Sequence, residues 1–187
     1  MAVRPILLYG DPVLAAANAP VEDFGSALLE LTHDLLETAW RAPGVGLAAP
    51  QVGVKLDLAV VDLSLGSDPG AAIVLANPRV VSTEGRVTVE EGCLSFPSLF
   101  VTLRRPRRLE VRAQDANGRW RVIAGEGLLA QALCHEVDHL DGVLLVDHLG
   151  GLRRHLFLHR VTRMRRLGRW EVTARERGAP SNLLGLR

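Results

Sequence analysis

Nine residues constrain this chain more than any others: Cys134-His135-Glu136-Val137-Asp138-His139-Leu140-Asp141-Gly142. They contain H-E-x-x-H, a pattern that carries chemistry only on a helix. Over a helix spanning 126–141, His135 and His139 are separated by about 400° of rotation, so they share one face a turn apart. Two imidazoles placed that way can grip one metal ion. Glu136 lies about 100° round from His135, off that face but near enough to reach a water held there. Gly142 follows as a C-cap.

A catalytic metal site of this type takes three protein ligands and leaves one position open. The extended pattern H-E-x-x-H-x-x-G-x-x-H needs histidine at 145, but Leu145 stands there and His148 comes three positions late. The next glutamates, Glu171 and Glu176, fall in the basic tail. Cys134 lies about 100° from His135 and further from His139, which makes it a packing residue. Cys93 follows a predicted strand, where Gly92 lets the backbone turn. Its position alone leaves open whether it is a ligand or a buried thiol.

The remainder reads as α+β, a helix packed on mainly antiparallel sheet. Residues 5–22 are extended and loop-like. A helix over 24–40 places Phe24, Leu28, Leu31, Leu35 and Ala39 on one arc and Glu30, His33, Asp34 and Glu37 opposite, with Asp23 or Ser26 as cap and Pro43 beyond its end. Residues 44–53 are apolar and glycine-rich, a buried turn in which Gln51 alone both donates and accepts hydrogen bonds. Their glycine spacing is not that of a phosphate loop. Strands are predicted over 56–63, 72–76, 79–90 and 108–124, with a turn at 65–70 and a hairpin turn at Asp115-Ala116-Asn117-Gly118. A second helix over 152–169 carries seven arginines, and the tail beyond Trp170 is expected to fray. Residues 1–150 are thus expected to form one catalytic domain. Residues 151–187 add a basic helix and tail that is not an independent domain.

Composition excludes several classes. Two cysteines in 187 residues make no disulfide scaffold, and the early Pro5 interrupts anything like a secretory leader. No apolar run reaches membrane-spanning length. These features predict a reducing cytoplasm, with neither membrane nor DNA as partner. The net charge of +1 hides a division: residues 150–187 hold 10 Arg against 2 Glu, leaving 12 basic against 19 acidic residues before them. Such a tail suits either a solvated surface or an acidic partner, most naturally RNA.

Three stretches together carry a resemblance. Gly44-Val45-Gly46-Leu47-Ala48-Ala49-Pro50-Gln51, then Glu91-Gly92-Cys93-Leu94-Ser95, then His135-Glu136-Val137-Asp138-His139 resemble, in order and spacing, the signature of peptide deformylases. Tyr9-Gly10-Asp11-Pro12-Val13-Leu14 is similar to that family's N-terminal region, so the likeness covers about residues 5–150. It implies hydrolysis of the N-formyl group from the N-terminal formyl-methionine of nascent bacterial proteins, releasing formate. It implies Cys93, His135 and His139 as ligands of one divalent ion, Fe(II) first, with Zn(II), Ni(II) or Co(II) able to substitute. Glu136 would move the proton, while the Gln51 side chain and Leu94 backbone N–H would steady the oxyanion.

Helix geometry places Leu128, Gln131 and Ala132 on the ligand face. With Val45, Leu47 and Leu94 they would form an apolar slot for methionine. Gly46 would leave room for an extended peptide, and Glu91 is counted with the substrate-binding residues. The resemblance also implies ribosome contact through the arginine-rich helix, whose removal with the tail (152–187) should leave small-peptide turnover intact. Two departures stand out: Cys134 replaces the Gln usual before H-E, and Leu14-Ala15-Ala16-Ala17 lacks the Arg usual after Leu. The other readings are a different metal-dependent amide hydrolase, or an RNA-binding protein with a vestigial metal site.

Overall fold

A computed structural model describes residues 2–42, 44–68 and 70–172. Pro43, one residue of the predicted 65–70 turn, and the tail beyond Val172 lie outside the described residues. The elements run α1 (Ser26–Arg41), β1 (Gly46–Ala48), β2 (Leu58–Val61), β3 (Ile73–Glu84), β4 (Val87–Cys93), β5 (Phe96–Arg105), β6 (Arg108–Gln114), β7 (Trp120–Glu126), α2 (Leu128–Leu140) and α3 (Gly151–Arg166). Short 3-10 helices at Pro12–Ala15, Ala49–Val52 and Leu145–His148 punctuate them.

One five-stranded sheet takes the order β1-β2-β3-β6-β7, and β4 and β5 form a separate two-stranded ribbon; every ladder is antiparallel. The α+β expectation holds, with the H-E-x-x-H helix at the centre. β2 shows why. It is buried on both faces, so its side chains alternate between two cores. Leu58 and Val60 join Leu28, Leu31, Leu35 and Ala39 of α1. Ala59 and Val61 join Ala130, Leu133, Val137 and Leu140 of α2. The sheet is thus clamped between α1 and α2. A third core joins Phe96, Leu99, Val101 and Leu103 of β5 to the Leu144–Val146 segment and to Phe157 and Val161 of α3.

Several local expectations are corrected. Residues 72–76 and 79–90 were predicted as two strands, but the first break is a bulge and the true break comes later. β3 runs through Asn77 and Pro78 with a register shift between Ala76 and Arg79, where a proline is tolerated. Asn77, at φ 51°, ties its side chain to the backbone of Val21. The chain then leaves the sheet at Gly85 (φ 63°), and β4 begins a different one.

β5 had no predicted counterpart. The 44–53 stretch is buried, as expected, but it forms β1 and a 3-10 helix rather than a turn alone. Neither Asp23 nor Ser26 caps α1: its N-cap is Gly25, and Asp23 instead accepts from the Gly25 N–H at 2.9 Å. Asp34 is not on a solvated face but 3% exposed. The N-terminal segment crosses that side of α1, and Asp34 accepts from Ala2 N at 2.6 Å and Arg4 Nε at 3.0 Å.

Candidate metal centre and cleft

The site forms where α2 meets the β4–β5 ribbon. α2 buries Leu133, Val137 and Leu140 against the sheet, so the residues between them turn toward the ribbon. His135 and His139 lie on that side with ring centroids 4.8 Å apart and planes at 82°. β4 ends at a register irregularity between Gly92 and Cys93. That kink presents the Cys93 sulfur to the helix, 3.2 Å from His139 Nε2. One ligand atom from each of Cys93, His135 and His139 lies within 4.8 Å of the others.

The three side chains fit a metal ion on the structure's own terms. A thiolate and two imidazoles are a donor set for a borderline divalent ion. His135 Nδ1 is engaged by Glu91 Oε1 at 2.7 Å, which leaves its Nε2 to serve as the ligand atom. Glu136 Oε2 is buried without a hydrogen-bond partner. Such an orphaned acceptor beside three convergent donor groups is free to take a proton or a hydrogen bond.

A chain of charges supports His135. Arg105 donates to both oxygens of Glu91, Nη2 to Oε1 at 2.6 Å and Nε to Oε2 at 2.8 Å. Its Nη1 reaches Asp138 Oδ2 at 2.7 Å and the Cys134 sulfur at 3.3 Å. Asp138 Oδ2 also lies 2.7 Å from His148 Nε2. Burial works to raise the Glu91 carboxyl, but the bonds from Arg105 and His135 outweigh it and hold it down at about 2. For Glu136 burial wins, lifting the carboxyl to about 7. Burial also keeps His139 well below the usual histidine range.

Gln51 is 2% exposed, and its amide is oriented from both ends. Its Oε1 accepts from Ala48 N at 3.0 Å, while its Nε2 faces Ser95 Oγ at 3.2 Å and the Cys93 sulfur at 3.7 Å. Gly46 sits directly against Glu136: an added Cβ would come within 2.9 Å of Glu136 Cδ. Position 46 therefore makes room for the glutamate, and it also lines the cleft where an extended peptide is expected.

The site opens into a cleft of about 550 Å³. Leu128, Gln131 and Ala132 border it, as helix geometry suggested, together with Val45 and Leu94, and Gln131 also donates to Glu90 O at 3.2 Å. Leu47 does not border it; strand alternation turns Leu47 into the α1 core, fully buried. Glu91 reaches the cleft wall, but both its oxygens are held inside the protein. Sequence reasoning missed Phe96, Leu99 and Phe100 of β5 and the residues Leu63 and Leu65. The tail beyond Trp170 was expected to fray, yet Glu171 and Val172 form part of the wall.

Among the described residues no helix is long and apolar enough to cross a membrane. Residues 3–155 match the family described as Polypeptide deformylase. A peptide deformylase of Acidobacterium capsulatum is 45% identical over 170 residues, which is 91% of this chain and all of that protein. The crystal structure of a peptide deformylase from Legionella pneumophila superposes with a TM-score of 0.84 at 42% identity, covering 89% of this chain and 98% of that one. A peptide deformylase from Synechococcus elongatus, solved with actinonin, gives a TM-score of 0.78 at 36% identity over 87% of this chain and 86% of its own. Over most of its length, the chain belongs to the polypeptide deformylase family.

Proposed function

We propose that Cys93, His135 and His139 hold one divalent ion, Fe(II) in preference to Zn(II), Ni(II) or Co(II), and that Glu136 moves the proton of the reaction. The activity is that of the family: hydrolysis of the N-formyl group from the formyl-methionine that begins nascent proteins, with release of formate. The observation that carries the residue assignment is the pairing of three convergent ligand atoms with an adjacent buried carboxylate that has an unpartnered oxygen.

When bound, the ion supplies a Lewis acid that acidifies water and polarises the formyl oxygen. Glu136 takes one proton from the attacking water as the new bond to the formyl carbon forms. It then delivers that proton to the methionine nitrogen as the C–N bond breaks, leaving formate and a free amine. Gln51 Nε2 and the Leu94 backbone N–H donate to the formyl oxygen while negative charge grows there; a donor in that role is typically worth about 3 kcal/mol. The methionine side chain lies among Val45, Leu94, Leu128 and Ala132. Arg105 and Glu91 act through His135, holding its ring.

α3 is proposed to contact the ribosome. Arg153, Arg154, Arg160, Arg163, Arg165, Arg166 and Arg169 along and just beyond it are all exposed, and it bears no acidic residue. A cytoplasmic location follows from that role. The test of both substrate and residue assignment is formate release from formyl-Met-Ala-Ser by protein prepared without oxygen and loaded with Fe(II), Ni(II) or Co(II). Wild type releases formate, and Glu136→Ala loses at least about 10²-fold while still binding metal. No formate with any of the three ions overturns the reading.

A further inference from the structure

Beyond α3 the chain turns back on itself. Gly168 takes φ 64°, and Arg169 N donates to Met164 O at 3.0 Å. Trp170 then packs edge-on against Phe96, 6.3 Å between centroids at 85°, with the Arg165 guanidinium 5.3 Å from the indole ring. Phe96 is itself part of the cleft wall. That anchor sets Glu171 and Val172 beside the cleft.

The charge balance of the lining gives the position its meaning. The acidic and histidine side chains bordering the cleft are Glu91, His135, Glu136 and Glu171, and no Lys or Arg borders it among the described residues. Glu91 is neutralised by Arg105. His135 and Glu136 belong to the catalytic end. Glu171 is exposed and has no cationic partner among the described residues. Among the described residues it is the one exposed carboxylate on a largely apolar cleft, where fields are less screened than over open surface.

We propose that Glu171 sets the enzyme's preference beyond methionine, favouring formylated chains with a lysine or arginine close behind the formyl-methionine and disfavouring acidic ones. Val172, half-buried beside it, offers apolar surface to the methylene stem of such a side chain. The inference rests on the deformylase reading.

The experiment compares kcat/KM for formyl-Met peptides carrying Lys or Glu at the second or third position, at low and high salt. Wild type favours the lysine peptide by about five-fold at low salt, the upper range for an exposed ion pair. The ratio falls toward one at about 0.5 M salt, where screening is short-ranged. Glu171→Gln brings the ratio near one at low salt, and Glu171→Lys inverts it. A ratio of one in wild type, a ratio that survives Glu171→Gln, or a shift of all peptides alike overturns the proposal. Formate from none of the peptides defeats the deformylase reading instead.

Discussion

Arg105 and Glu91 are joined through both carboxylate oxygens while being only 4% and 3% exposed. The pair is the only route by which the protein interior orients His135 Nδ1 among the described residues. Removing one partner of such a pair strands a buried charge, at a cost of about 3–5 kcal/mol. Arg105→Met is therefore expected to lower stability by that amount in urea titrations and metal affinity by about 10–100-fold. Adding Glu91→Gln to Arg105→Met should recover most of the stability but not the affinity. An additive double variant would mean the two side chains are not energetically coupled.

The same pair predicts how the metal-free protein responds to acid. Glu91 has its folded carboxyl at about 2 against an ordinary 4.5. Its stabilisation is therefore complete above pH 4.5 and lost as the pH falls toward 2, amounting to about 3 kcal/mol. In chelator-treated protein, Glu91→Gln should flatten the acid limb of the stability curve by that much. An unchanged slope between pH 5 and 2 would place the titration elsewhere.

Gly46 tests how tightly Glu136 is seated. In Gly46→Ala the new methyl carbon meets Glu136 Cγ at 3.0 Å and Cδ at 2.9 Å. The carboxylate must move. A misplaced catalytic group costs about 10²-fold in kcat, whereas overpacking of this size costs about 1–3 kcal/mol in stability. Steady-state kinetics with metal analysis should find low kcat and normal metal content. Near-normal kcat would show that Glu136 has slack.

Truncation before α3 should not leave a working enzyme, contrary to what the basic tail suggests by itself. Phe157, 4% exposed, lies 5.4 Å from Phe96 between ring centroids, and Val161 is 3% exposed in the same core. Phe157→Ala should cost about 3–5 kcal/mol. Deleting 152–187 should depress both the melting temperature and small-peptide turnover. Wild-type turnover in the truncated protein would show that α3 is an appendage.

The central helix and its two histidines were readable because helical spacing alone puts them on one face. The cleft residues Leu128, Gln131 and Ala132 followed from the same rotation. The third ligand was not readable that way, because Cys93 reaches α2 only through a strand pairing that joins residues far apart in sequence. β5 was missed because Phe96-Pro97-Ser98 looks like a turn and Arg104-Arg105-Pro106-Arg107-Arg108 looks like solvent. Yet Leu99, Val101 and Leu103 alternate, and that alternation continues inward to Arg105. Read to its end, it would have announced a buried arginine and hence a buried carboxylate partner. Asp34 failed for a different reason: helical periodicity finds the outward face but not the N-terminal segment that covers it. Trp170, a lone aromatic in a polar tail, was the visible sign that the chain comes back.

One strand, β5, carries two unrelated duties on one side. Its alternating inward positions run from Leu99 in the cleft wall to Arg105 in the histidine support. A slip of the β4–β5 ladder by one residue would reverse every side chain at once. The wall would lose Leu99 in the same event that removed the guanidinium from Glu91. The register of this ribbon therefore couples the shape of the cleft to the support of His135. One pairing of two strands thus fixes both where a substrate lies and how the histidine faces it.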